Sequence, residues 1–207
     1  MPKVRLQSLA IRFAIETESI LRRFATLCPS GHKQCEDSHL WCQEMCIVRL
    51  ADAWSRFCRE LVLVSASEEP LMAVGGRVPR APGIADRRGA LTVLRSVYTR
   101  FPHEPRWIDT QSCLRAANIL GIANYATVSA GLAVTPSPVD DLRDVRNFLA
   151  HRNEGTAAAV RAVATNVGIA PSSKALGILN DLWPGASKTV LQTWTTHMLA
   201  MSQIAAR

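Results

Sequence analysis

Three polar side chains within one short segment have the types and spacing that chemistry on a phosphate group needs. Arg146, Asn147 and His151 lie in the segment RNFLAHRN, which spans residues 146–153. An imidazole titrates near neutral pH and can act as a general acid or a general base. A guanidinium can hold phosphate oxygens through two parallel donors, and an amide can orient the imidazole or bind phosphate. These three residues are therefore the candidate catalytic set.

A single helix is predicted to carry all three side chains. Ser137 suits the N-cap position, Pro138 suits the first helical position, and an acidic residue, Asp140, follows at the third. The helix that begins there continues into the segment 146–153. On a helical wheel of about 100° per residue, four apolar side chains form a predicted buried stripe: Leu142, Val145, Phe148 and Leu149.

The polar side chains lie on the edge beside that stripe. Asn147 and His151 are four residues apart, so their side chains can touch. Arg146 lies about 140° from His151 around the helix and can meet it only at a shared substrate. By itself the pattern favours a solvated face, in which Arg143 and Arg146 pair with nearby acidic residues and His151 complements the helix dipole. The solvated face and the catalytic site both remain open at this point.

Helical periodicity extends over nearly the whole chain and predicts an all-α fold with one compact domain, residues 1–207. The strongest amphipathic segment is residues 38–64. The segment 124–138 is ambiguous, because its β-branched residues could form an extended stretch. Residues 65–87 are rich in glycine and proline and predict a flexible basic loop, in which Arg77 and Arg80 are candidates for binding phosphates. The remaining helices are predicted at about 3–27, 86–100, 109–120, 156–167, 173–183 and 187–205.

The bulk composition indicates a folded protein with an anionic partner. Of the 207 residues, 48% are hydrophobic and 20% are charged, which is typical of a globular chain. The net charge of +7 and the pI of about 9.5 suggest nucleic acid or an anionic lipid surface. No stretch is apolar enough to span a membrane, and charges interrupt the apolar N-terminal residues. We therefore expect a cytoplasmic protein with no membrane association, whose six cysteines are reduced thiols or metal ligands.

The pattern R-N-x-x-x-H at residues 146–151 resembles the signature of the HEPN (higher eukaryotes and prokaryotes nucleotide-binding) superfamily. Two more segments resemble one branch of that family. Residues 49–57 match its run R-L-x-x-x-W-x-x-F, and residues 148–154, FLAHRNE, are similar to the same branch. The resemblance covers residues 38–64 and 137–157, with helix order alone elsewhere. Some members carry a tyrosine two residues after the histidine, where this chain has Asn153, so we do not expect the control that acts through that tyrosine.

The resemblance implies a helical bundle that pairs as a two-fold homodimer and cleaves RNA without metal or other cofactor. Members of the family act as toxins and in anti-phage defence, so we also expect an inhibitory or activating protein partner. RNA supplies the nucleophile, its 2′-hydroxyl group. One chain offers one motif histidine, and a two-fold axis would bring two histidines and two arginines to one groove. On this interpretation Arg143, Arg152, Arg77 and Arg80 contact RNA. Asp52 orients Arg49 or Arg146, since Ser55 stands where the branch often has an acid.

Three alternatives remain open. A catalytically inactive HEPN-like module could use the same basic charge to bind RNA or a protein. A series of cysteines and histidines could bind zinc, although plain packing is favoured because Pro29 and Gly31 interrupt its start; its members are Cys28, His32, Cys35, His39, Cys42 and Cys46. The five tryptophans are favoured as core residues rather than base-stacking platforms, and Trp107 is the one for which exposure is predicted.

Overall fold

The computed structural model describes residues 5–27, 37–73, 75–100, 103–134, 137–170 and 174–207. Within these ranges it contains nine α-helices and no β-strand, which confirms the all-α prediction. The helices are α1 (Leu6–Leu27), α2 (Asp37–Ser67), α3 (Arg87–Val97), α4 (Thr110–Leu120), α5 (Tyr125–Leu132), α6 (Pro138–His151), α7 (Glu154–Asn166), α8 (Ala175–Asn180) and α9 (Val190–Ala205). None of the helices in the described ranges is long and apolar enough to cross a membrane.

Two segments differ from their predictions. The ambiguous segment 124–138 contains helix α5, because Val128 and Leu132 are fully buried on one helical face and tertiary packing outweighs β-branched propensity. Helix α8 covers only part of the predicted range 173–183, and residues 184–187 form turns and bends.

The chain divides into two compact units, and α1, α2 and α9 contribute residues to both. The first unit comprises Met1–Ala14, Ala53–Pro136 and Leu199–Arg207. Its core contains an aromatic cluster in which the Trp54 ring lies 5.4 Å from the Phe13 ring and 5.5 Å from the Phe57 ring. A buried hydrogen bond of 3.2 Å, donated by Asn124 to the Ser65 hydroxyl, joins the residue before α5 to α2.

The second unit comprises Ile15–Asp52 and Ser137–Met198 and contains the whole of α6, α7 and α8. Helix α6 packs against both α7 and α8. Leu142 and Val145 of α6 are fully buried, as are Val163 of α7 and Ile178 of α8. This packing fixes the first three turns of the helix that carries the R-N-x-x-x-H pattern.

Candidate active site

The connection between α6 and α7 places His151 at a sharp reversal of the chain. Helix α6 ends at His151, and Arg152 follows in the left-handed region with φ 39° and ψ 48°. The Arg152 N–H donates to the Phe148 carbonyl at 2.8 Å. Asn153 then caps α7: its side chain accepts from the Thr156 N–H at 3.0 Å, and the Thr156 hydroxyl accepts from the Asn153 N–H at 3.1 Å. Two residues therefore separate His151 from the next helix.

The predicted start of α6 is confirmed in position but not in its capping bond. Ser137 is the N-cap and Pro138 the first helical residue. The Ser137 side chain makes no capping hydrogen bond, and its buried hydroxyl has no partner within the described ranges. The proline's preset φ and the acidic residues of the first turn therefore specify this terminus without that bond.

The buried stripe of α6 is only partly as predicted. Leu142 and Val145 are fully buried, whereas Phe148 and Leu149 are half-buried. The prediction is wrong for the last turn because α6 ends within one turn of these two residues. The end of the helix therefore presents apolar surface next to the motif.

The structure places the three candidate catalytic residues at different depths around α6. His151 is exposed, and among the residues that the structure describes it forms no hydrogen bond or ion pair. Arg146 is half-buried, and its Nη1 donates to the Asn147 Oδ1 at 3.5 Å. Because Arg146 and His151 are about 140° apart around the helix, their side chains do not face each other directly.

Two of the four arginines predicted to bind RNA lie near the motif, and both contact carboxylates. Arg143 donates to Asp140 at 3.0 Å and to Asp144 at 3.2 Å, as the solvated-face interpretation predicts. The Arg152 Nη2 lies 2.5 Å and 2.6 Å from the two carboxylate oxygens of Glu44, which is 108 residues away on α2. This last ion pair ties the end of α6 to α2.

The other two arginines belong to the first unit, and no contact of Asp52 with the motif is present among the described residues. Arg77 and Arg80 both approach Glu69, at 4.0 Å and 3.8 Å. Exposed pairs of this kind are worth about 0–1 kcal/mol, so a phosphate can compete for these guanidiniums. Asp52 is exposed on α2 and, within the described ranges, forms no ion pair with Arg49 or Arg146. The structure does not bring Asp52 onto the arginines that it was predicted to orient.

Asp141 has a perturbed carboxyl group that the sequence analysis missed. Burial raises its pKa to about 6, and a hydrogen bond with Asn166 opposes that shift. The neighbouring carboxylates of Asp140 and Asp144 raise the pKa further. Asp141 precedes His151 by ten residues, or about 15 Å of helix, so it is not a partner for the imidazole. The signal in the sequence was an acidic residue in the first turn of the helix with apolar residues close by in the chain.

Only half of the cysteine and histidine series can be placed. Cys28, His32 and Cys35 lie outside the described residues. His39 is exposed, Cys42 is half-buried and Cys46 is buried, and burial raises the pKa of the Cys46 thiol. In the part of the chain that the structure describes, no group of three or more His, Cys, Asp or Glu side chains could hold a metal ion.

The tryptophans correct one prediction. Trp107 is only 9% exposed, and its indole N–H donates to Glu104 at 3.0 Å, so its predicted exposure is wrong. Its position after two prolines suggested a surface loop, but the hydrogen bond to Glu104 holds the ring inward. Trp41, on α2, is 62% exposed instead. Trp54 and Trp194 are buried core residues.

Comparisons with known proteins leave the site's geometry as the main guide to function. No family model, no curated protein and no solved structure matches this chain.

Proposed function

We propose that this protein is a metal-independent endoribonuclease with a composite active site at a homodimer interface. The observation that carries the proposal is the placement of R-N-x-x-x-H at an exposed helix end, where the His151 imidazole has no partner among the residues that the structure describes. A buried histidine would need its ring nitrogens satisfied by neighbouring groups, whereas an exposed histidine keeps both ring nitrogens open to a substrate. An accessible imidazole is what a general acid or base requires.

The proposed reaction needs no group beyond the side chains and the RNA. One imidazole takes the proton of the 2′-hydroxyl, whose oxygen attacks the adjacent phosphorus. The bond from phosphorus to the 5′-oxygen breaks, and a second imidazole protonates that leaving oxygen. The products are a 2′,3′-cyclic phosphate and a 5′-hydroxyl end. The Arg146 guanidinium stabilises the charge on the phosphorane oxygens.

A second copy of the chain solves the geometric problem of the motif. Arg146 and His151 diverge around α6, and one chain supplies a single motif imidazole where the reaction uses two. Pairing two α6 ends about a two-fold axis supplies the second imidazole. The half-buried Phe148 and Leu149 beside the motif support this arrangement, because a partner helix would cover them.

The biological role that we propose is that of a toxin or an anti-phage defence effector. The support for this role is the resemblance in the segment 146–154 and the net charge of +7. A nuclease of this kind would damage its own host's RNA, so the proposal includes an inhibitory or activating protein partner.

Cleavage of labelled RNA by matched variants tests the proposal. His151→Ala is expected to lower the rate by roughly 10²–10⁴-fold, the usual contribution of general acid–base catalysis. His197→Ala removes another exposed helical histidine and should cut at the parental rate. Arg146→Ala should also lose activity, whereas Arg161→Ala, an exposed arginine of α7, should not. Unchanged circular dichroism and melting temperature must accompany each loss.

The same assay addresses the alternative, a catalytically inactive module that binds RNA or a protein. Fragments ending in 2′,3′-cyclic phosphate that appear in the presence of EDTA support the nuclease. RNA that is bound but never cut by the parental protein favours the binding module. Cleavage that EDTA abolishes and Mg²⁺ restores contradicts the metal-independent mechanism.

A further inference from the structure

The outer face of α2 in the second unit carries an exposed aromatic ring and, two turns further along the helix, an exposed arginine. Trp41 is 62% exposed and Met45, one turn later, is 38% exposed, and Arg49 is exposed one turn after that. Residues four apart lie on one face of a helix. The opposite face is buried, with Ile47 and Leu50 fully covered. The three side chains therefore form one solvent-facing stripe, which we call the Trp41 stripe.

Positive charge lies beside the Trp41 stripe. Arg49 belongs to it, and Arg23 of α1 is also exposed. Both guanidiniums lower the pKa of the buried Cys46 thiol, against the larger effect of burial, which raises it. A polyanion that followed this face would meet the indole and then, about 12 Å further along α2, the Arg49 guanidinium.

The stripe is linked directly to the end of the motif helix. Glu44 lies three residues after Trp41, so about 5–6 Å separates their Cβ atoms. The Arg152 Nη2 contacts both carboxylate oxygens of Glu44, at 2.5 Å and 2.6 Å. Arg152 follows His151 directly in the chain. The exposed indole of Trp41 is thus on α2 and the exposed imidazole of His151 is at the end of α6, and this ion pair joins the two helices.

We propose that Trp41 is a substrate-positioning residue that stacks on one base of a single-stranded RNA whose phosphate lies at His151. The inference rests on the proposed function, because it takes RNA cleavage at His151 as given. It adds the class of substrate and the residue that positions the substrate. Every base offers a face to an indole, so the contact selects unpaired RNA without selecting a sequence. The guanidinium of Arg49 holds a backbone phosphate of the same strand.

The exposed apolar area of the Trp41 stripe suits a stacked base better than an interface with a second protein. A tryptophan buries roughly 150–250 Å² when it is fully covered, and Trp41 has part of that already covered. A stable protein interface needs about 800 Å² from each partner. The indole and Met45, together with the adjacent Leu40, which is 37% exposed, fall well short of that area. A single stacked base needs little more than the face of the ring.

Equilibrium binding in a non-cleaving background tests the inference. Full-length His151→Ala protein is titrated against a fluorescently labelled single-stranded RNA of mixed sequence at fixed salt. Adding Trp41→Ala is expected to weaken binding roughly 5- to 150-fold, the effect of losing one stacked base. Trp41→Phe keeps an aromatic face and should stay within about 3-fold of the parent. Leu182→Ala removes another side chain that is 62% exposed in the same unit and should not change the affinity. Fully paired RNA should show no dependence on Trp41.

Each contrary result overturns the inference. It is wrong if Trp41→Ala binds like its parent, if Trp41→Phe binds as weakly as Trp41→Ala, or if the parent fails to bind single-stranded RNA. It is also wrong if Trp41→Ala dissociates a dimer, by light scattering, without weakening RNA binding, since the stripe would then be a protein interface. Binding that depends on Trp41 in a chain that never cuts RNA refutes the proposed nuclease alone. Cutting without dependence on Trp41 refutes the stacking alone.

Discussion

A side chain at Gly131 would collide with the backbone of a neighbouring helix, which makes Gly131→Ala a sharp test of the first unit's packing. A Cβ atom at this position of α5 would lie 2.4 Å from the backbone nitrogen of Ala205 and 2.5 Å from its Cβ. Non-bonded carbon atoms prefer separations of about 3.5–4.0 Å. Helices α5 and α9 would therefore have to move apart by about 1 Å, because a backbone atom cannot rotate away as a flexible side chain can.

Two opposing effects set the size of the change. Alanine is favoured over glycine inside a helix by about 0.8–1 kcal/mol. Overpacking a well-filled core costs about 1–3 kcal/mol, and an obstacle of backbone places this substitution at the upper end. The net loss of stability is therefore about 1–2 kcal/mol. For a chain of this length each 1 kcal/mol corresponds to about 2–4 °C in Tm, so Gly131→Ala should melt about 2–8 °C below the parent.

Thermal and urea unfolding, each followed by circular dichroism, measure the change against a matched control. Gly89→Ala also replaces a helical glycine, but its Cβ would meet only the Asp86 carboxylate, at an ordinary 3.5 Å. The control should therefore be as stable as the parent or slightly more stable. If Gly131→Ala melts at or above the temperature of the parent, α5 and α9 do not approach as closely as described.

Two pH-dependent predictions concern carboxyl groups. Burial raises the pKa of Asp141 to about 6 from 3.8, so this group stabilises the fold below about pH 4, and that contribution is lost as the pH rises through about 6. Asp141→Asn should raise the free energy of unfolding at pH 7 by about 1 kcal/mol, after allowance for partial solvent exposure. If urea titrations show that the stability of the variant depends on pH as that of the parent does, the prediction is wrong. The hydrogen bond from Arg59 lowers the pKa of Glu104 below 4.5, so the stability that it contributes is present above that pH and is lost as the pH falls through the lowered value. Glu104→Gln should therefore cost about 1 kcal/mol at pH 7 and little at pH 3, and equal losses at both values would rule out the ionic contribution.

Local chemistry explains why much of the helical framework could be read from the sequence. The apolar period of residues 38–64 predicted α2, which the structure extends only to Asp37–Ser67. Ser137 and Pro138 marked the start of α6 because an N-cap and a preset φ act within a few residues. The sequence also placed Arg146, Asn147 and His151 on one helix, since their spacing alone determines their angles around it.

Contacts between residues distant in the chain determined which side chains are buried, paired or exposed. Trp107 turns inward onto Glu104, which Arg59 holds from 45 residues away, although the prolines before Trp107 suggested an exposed loop. Trp41 stays exposed although it lies on an amphipathic helix. The ion pair between Arg152 and Glu44 spans 108 residues and depends on how α2 and α6 meet. Helical spacing states which way a side chain points, but only the packed neighbours determine whether that direction leads to core, to a carboxylate or to solvent. For this protein, the sequence therefore specified the helix that carries the candidate site, and the tertiary structure decided which of its side chains remain accessible.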